Sequence, residues 1–236
     1  MSDSLDLLEL PDSFNGRVRL FPLPGLVAFP HVVQPLRIFE PRYCDLLRDA
    51  LASDQLITLA TLAPDWPGDI SHTPAIAPTA CIGRILLHSA SEDHTFNVLL
   101  LGVRRCRIVR EIPSSQRFRV AEVEVLEDFF PELPIKERQL KAELLDLFST
   151  HVSATLLLQE NLRQLADEIL PLSAVTDLVS FGADLPQEEK LTLLGEPNVM
   201  LRAELLIDRM HALGDSFNCS ATGRNPGGFP PPFSMN

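Results

Sequence analysis

The first 126 residues carry their apolar side chains in short runs rather than at helical spacing. LITLATL (56–62), CIGRILLHS (81–89), TFNVLLLGVRRCRIV (95–109) and RFRVAEVEVLE (117–127) are rich in Val, Ile, Leu and Phe and predict strands. The last run alternates, with Phe118, Val120, Val123 and Val125 apolar and a change of register near Ala121 that suits a bulge. SASEDH (89–94) reads as a hairpin loop. Several strands with short links predict a closed or nearly closed barrel. One helix interrupts them. From Pro41, residues Tyr43, Leu46, Leu47, Ala50 and Leu51 follow the i, i+3, i+4, i+7, i+8 rule. Pro41 suits the first helical position, and Glu40 sets a carboxylate beside the positive helix end.

After EDFFPELP (127–134) the period becomes helical, as in Leu140, Leu144, Leu147 and Phe148. Pro171 ends a segment, Ser173 is placed to cap the next, and Gly182 stops it. Pro186 opens another helix with Glu188 and Glu189 in its first turn, Gly195 closes it, and a last helix covers 198–213. The organisation expected is an N-terminal extension (1–16), a β-barrel subdomain (17–127), a helical subdomain (128–213) and a disordered Pro/Gly-rich tail (214–236). The fold class is α+β.

One stretch breaks the pattern. LFPLPGLVAFPHVVQPLRIFEPRY (20–43) is strongly apolar yet holds Pro22, Pro24, Pro30, Pro35 and Pro41. Proline removes a ladder donor and pushes its predecessor into extended geometry, so a regular central strand is not expected here. A kinked, extended path around a barrel edge is expected instead. Leu20, Phe21, Leu23, Leu26, Val27 and Phe29 anchor it, and VVQPLRIF (32–39) continues as a strand.

Composition narrows the function classes. The net charge is −12, with −3 in residues 1–126 and −9 in 127–213, which disfavours a nucleic-acid partner. The basic cluster Arg104, Arg105, Arg107 and Arg110 lies in a predicted strand, where salt-bridged arginines are expected rather than a binding patch. No apolar run is long enough for a membrane helix, and the acidic N-terminus lacks signal-peptide character. Cys44, Cys81, Cys106 and Cys219 are scattered without a C-x-x-C spacing, so neither a zinc ribbon nor a disulfide framework is expected. A reducing cytoplasm fits.

The motifs LFPLPGLVAFP and PLRIFEPRY, followed by IGRILL, FNVLLLGVRRCRIVRE, RFRVAEVEVLED and the helical end to Met210, resemble the N-terminal substrate-binding domain of ATP-dependent Lon proteases across about residues 17–213. That domain also occurs in free-standing bacterial proteins. The resemblance implies a PUA-like β-barrel followed by an all-helical bundle. It also implies a non-enzymatic module for exposed apolar segments of unfolded or tagged proteins, with no cofactor. An adaptor for a folded partner, such as a separate protease, is the alternative, and a minor hydrolase on the same scaffold is the third. The family-motif residues Pro22, Pro24, Pro30, Phe39, Glu40, Pro41, Arg42, Gly83 and Gly102 are read as structural. Trp66, Leu26, Phe29 and His31 are the candidate peptide contacts. His31 stands where the family usually has glycine, so a local difference in the turn is expected.

Engines of catalysis are not visible in this stretch. No Gly-Lys dipeptide occurs, so there is no G-x-x-x-x-G-K-[ST] phosphate loop. The three lysines, Lys136, Lys141 and Lys190, are expected on exposed helix faces. His88, Glu92, Asp93 and His94 fit a solvated hairpin better than a metal site. His72 and His151 stand alone, and Cys81 and Cys106 read as small buried residues. FPPPF (229–233) could form a polyproline ligand but reads as plain tail.

Overall fold

Alternate residues of one strand enter different cores. Leu20 and Phe21 part in this way, as do Leu56 and Ile57, Ala80 and Cys81, and Val120 and Ala121. The strand stretches around these four pairs are therefore covered on both faces in this computed structural model, which explains why their runs read as nearly continuous apolar sequence. β3 is buried at all seven positions. The residues described are 7–63, 74–91, 93, 95–151 and 169–219.

Among them, the elements run β1 (Arg17–Leu23), β2 (Val33–Ile38), α1 (Pro41–Leu51), β3 (Leu56–Leu62), β4 (Ile76–Ala90), β5 (Phe96–Ile112) and β6 (Arg119–Leu126). Four helices follow: α2 (Pro134–His151), α3 (Leu172–Gly182), α4 (Gln187–Gly195) and α5 (Val199–Cys219). The order β2-β5-β4-β3-β1-β6 is closed by a further β5–β6 pairing. Five strands thus form a ring, and β2 hangs outside it on β5 alone. All pairs are antiparallel except β1 with β3.

Two strand expectations need correction. β1 pairs continuously through Ala121 and Val120, so no bulge lies there. The irregularity sits in β5 between Ile108 and Arg110, and the adjacent buried residues Val120 and Ala121 reflect two-sided burial. Pro22 lies inside β1, a strand of the ring, although proline was expected to exclude this. β6 accompanies β1 only as far as Leu20, so Pro22 has a strand neighbour on one side only and sits as proline does on an edge.

α1 begins as its sequence predicts, with Pro41 in the first turn and the amides of Tyr43 and Cys44 donating to Glu40 O at 2.9 Å. Tyr43 meets the Phe21 ring edge-on at 4.4 Å between centroids, and Arg19 of β1 holds Asp49 and Asp54 at the other end of the helix. Burial pushes the Tyr43 hydroxyl up from its usual range.

The helical half has its own core. Leu140, Leu144, Val175, Val179, Leu194, Ala203, Leu206 and Met210 are drawn from all four helices, and Val27, Phe29 and Val32 of the proline-rich segment join them. Ala28, between them, belongs to the barrel core. The segment is the strap between the two cores, and its prolines hold it extended so that successive side chains face opposite ways. Residues 7–16 are likewise bound. Arg84 donates to Leu7 O and Glu9 O, Arg104 to Leu8 O, and Leu10 and Phe14 pack on the barrel.

Ser173 does not cap α3. The helix starts at Leu172 behind Pro171, with no side-chain cap, and Ser173 is buried within it. Lys190 is half-buried rather than exposed. Its amine donates to Phe181 O at 2.9 Å, and desolvation draws its pKa below the usual lysine value.

Candidate functional site

The strap meets the barrel at Gly102. A Cβ there would come within 2.0 Å of Phe29 O, so only glycine allows this approach. The amide of Gly102 donates to Val32 O, and that of His31 to Gly102 O, both at 2.9 Å. His31 adopts a left-handed φ of 63°. The turn that glycine would make easily is therefore kept by a histidine, one of the residue types that tolerate this region. Gly83 is a second close approach, its Cβ position falling on the Leu100 side chain.

The His31 ring reaches Asp177 of α3, with Nδ1 3.0 Å from Oδ2. Asp177 also accepts from Arg105 Nη2 at 2.7 Å. Arg105 Nη1 donates to Asp128 at 2.7 Å, and Arg202 of α5 grips both oxygens of Asp128 at 3.2 and 3.1 Å and Glu196 O at 2.6 Å. Two arginines and two aspartates thus lock the barrel, the linker and two helices together. Desolvation lowers the Arg105 pKa, opposed chiefly by the Asp177 charge. A cavity of about 230 Å³ beside the network is lined by His31, Arg104, Arg105, Asp128, Phe130 and Ser173 among others. Of the rest of the cluster, Arg107 pairs with Glu124 and Arg110 bidentately with Glu122, as salt-bridged strand residues, while Arg104 holds Leu8 O.

A different region offers a surface to a partner. β2, β5 and β4 form a three-stranded blade whose groove, about 600 Å³, is lined by Pro35, Leu36, Arg37, Leu87, His88, Ser89, Asn97, Val98 and Leu99. The register sets Pro35, Leu99 and Leu87 side by side, with Val33 and Leu101 as the neighbouring pair. Leu87 is 65% exposed and Val33 47%. The free edge of β2 is poorly suited to pairing with another strand. Pro35 has no N–H, and its carbonyl accepts from Gln34 Nε2 at 3.2 Å. The blade therefore presents side chains on its face rather than backbone along its edge.

Residues 17–212 match the family described as the ATP-dependent protease La (LON) substrate-binding domain. The chain belongs to this Lon substrate-binding domain family. It is 24% identical over 206 residues to Lon protease 1 of Bdellovibrio bacteriovorus, covering 84% of this chain and 25% of that protein. Lon protease 3 of Sorangium cellulosum is 27% identical over 202 residues. The chain spans about a quarter of the length of these relatives. The Lon N-terminal domain protein from Xanthomonas campestris superposes with a TM-score of 0.60 at 24% identity, over 81% of this chain and 97% of that one. The N-terminal domain of the Mycobacterium avium complex Lon protease gives 0.63 at 18% identity, over 83% and 98%. These likenesses show the fold. The matched region is the substrate-binding part of Lon, not its peptidase.

The candidate contacts of the Lon domain fall in separate places. Phe29 is fully buried under the helices and offers no surface, which corrects its reading as a contact. Leu26 is half-buried, its carbonyl held by Thr61 Oγ1 at 2.8 Å. His31 is committed to Asp177, and Trp66 lies outside the described residues. Among the motif residues, Pro22 and Pro30 are buried, whereas Pro24, Phe39, Pro41 and Arg42 are exposed. Arg42 bonds Glu40 at 2.9 Å and stands over the Tyr43 ring at 4.6 Å. Cys44, Cys81 and Cys106 are buried. His88 is exposed on β4, while Glu92, His94, His72 and the tail motif lie outside the described residues. His151 ends α2. Sequence reasoning missed the blade. Its one advance signal was Leu87, a leucine at the end of a run bordering the polar loop.

Proposed function

We propose that this chain is a non-enzymatic recognition module that binds exposed apolar segments of unfolded or tagged polypeptides on the face of the β2–β5–β4 blade. The observation that carries the reading is the groove itself: a largely apolar lining with Leu87 standing out into solvent, and exposed Val33 on the neighbouring rung. The likeness to a substrate-binding domain supports protein substrates. The ring of five strands and the shared helical core support a PUA-like barrel followed by a helical bundle. No described helix is long and apolar enough to cross a membrane, and we place the module in the cytoplasm.

The test is a titration of an unfolded, Leu-rich peptide, followed by anisotropy of a labelled peptide and by emission of Trp66, the single tryptophan. Binding in the micromolar range is expected, because an extended ligand gives up conformational freedom. Leu87→Asp should weaken it about tenfold, since truncating a central interface anchor costs more than about 1 kcal/mol. Binding unchanged in Leu87→Asp would remove the blade as the site.

A second reading has its own observation. Phe129, Phe130, Leu133 and Ile135, in and just after the linker from the barrel to α2, are all more than half exposed. Such a cluster favours an adaptor that also holds a folded protein partner, such as a separate protease. A partner captured by the native chain and lost with Phe130→Ser and Ile135→Ser together would support it.

A further inference from the structure

The charge of the blade does not follow that of the chain. With a net charge of −12, an acidic rim would be the default. Yet among the described residues the only ionisable side chains lining the groove are Arg37 and His88. Arg37 alternates with Pro35 along β2 and so shares the face on which Pro35, Leu99 and Leu87 lie abreast. His88 has the opposite parity. The Arg37 side chain is 64% exposed and, among the described residues, is engaged by one carboxylate, Asp93 of the β4–β5 hairpin, with Nη2 2.9 Å from Oδ2. Asp93 is itself held in the hairpin, since its other oxygen accepts from the Thr95 hydroxyl at 2.7 Å. A solvated pair of this kind exchanges partners readily, because it is worth little in water.

We propose that the blade selects apolar segments flanked by an acidic residue, whose carboxylate replaces Asp93 on Arg37 while the apolar side chains lie along Pro35, Leu99 and Leu87. This rests on the blade being the peptide site. The specificity is one of charge at one end of an otherwise apolar groove, so it discriminates among substrates without adding much affinity. Asp93 then serves as an internal stand-in that keeps Arg37 extended along the blade when no ligand is bound.

The experiment compares two labelled peptides of the same length and apolar sequence, one flanked by Glu and one by Gln. The Glu peptide should bind the native chain about two- to fivefold more tightly, the range an exposed ion pair supplies. The preference should vanish in Arg37→Ala, widen in Asp93→Asn, and fade as salt rises towards about 1 M. Both side chains are exposed, so melting curves should match the native chain. Equal binding of the two peptides to the native chain, or a preference that survives Arg37→Ala, overturns the charge selection while leaving the blade as a peptide site. Failure of both peptides to bind, or indifference of both to Leu87→Asp, overturns the peptide site itself and this inference with it.

Discussion

Arg105 of β5 and Asp177 of α3 meet with Nη2 2.7 Å from Oδ1, and neither side chain has appreciable contact with water. They are 72 residues apart in sequence and join the barrel half to the helical half. Burying two ions is costly, and the cost is offset only where geometry is good and the other hydrogen-bonding positions are filled. Here Asp177 also holds His31 and stands 3.6 Å from Arg202 Nε, and Asp128 holds both arginines. The Nε atoms of Arg105 and Arg202, however, are buried without a hydrogen-bond partner among the described residues, so the offset is incomplete.

Removing one member should leave two buried guanidinium groups under-compensated. Asp177→Ala is expected to lower stability by about 3–5 kcal/mol in a urea titration. A loss below about 1 kcal/mol would mean that water enters the interface and replaces the carboxylate.

Gly102 and Gly25 should behave differently when each is changed to alanine. At Gly102 the added methyl carbon meets backbone, Phe29 O at 2.0 Å, and the strap must move away from both cores. A loss of about 3 kcal/mol or more is expected, with altered near-UV dichroism. Gly25 has open space but a φ of +68°, so its alanine variant should cost only about 1–2 kcal/mol. Equal losses at the two sites would show that the strap shifts enough to relieve the Gly102 contact.

Arg42 gives a small effect. Its pair with Glu40 is 47% and 41% exposed. Arg42→Ala should cost under about 1 kcal/mol. A larger drop in melting temperature would shift weight to its stacking on Tyr43.

The buried thiols predict weakness towards alkali. Burial pushes Cys106 up to about 12, and Cys81 is raised well above its usual value by the same cause. The unfolded thiol, with a pKa near about 8.5, loses its proton first, so the unfolded state gains relative to the folded one. Stability from this source is complete below about pH 8.5 and is lost as pH rises to the folded values. The slope is about 1.4 kcal/mol per pH unit for each thiol that stays protonated. Tyr43 acts in the same sense, and the lowered amine of Lys190 acts against it. Chemical denaturation between pH 8 and 11 should show the decline, and Cys106→Ala should flatten it. A slope unchanged in Cys106→Ala would assign the loss to other groups.

Much of the fold was legible along the chain. LITLATL coincides with β3, Pro41 opens α1, and Gly182 and Gly195 end α3 and α4. These are local matters: side-chain periodicity, the fixed φ of proline and the permissive φ of glycine act within a few residues. Proline was over-read as a strand breaker at Pro22, because its cost depends on whether a neighbouring strand claims its missing donor. The change of period near residue 127 marked the passage from strands to helices for the same local reason.

What local pattern could not decide is which side chains end up together. Arg105 and Arg107 lie two apart on one strand, yet one is fully buried and the other exposed, because α3 and α5 cover only the first. Phe29 looked available for a ligand until the helices closed over it, and Leu87, within an apolar strand run, is left in solvent by the blade. The sequence by itself determined the strands, the helices, the family and the extended course of the strap. Tertiary packing alone decided the buried charge network and the exposed groove, because burial depends on what covers a residue from far along the chain.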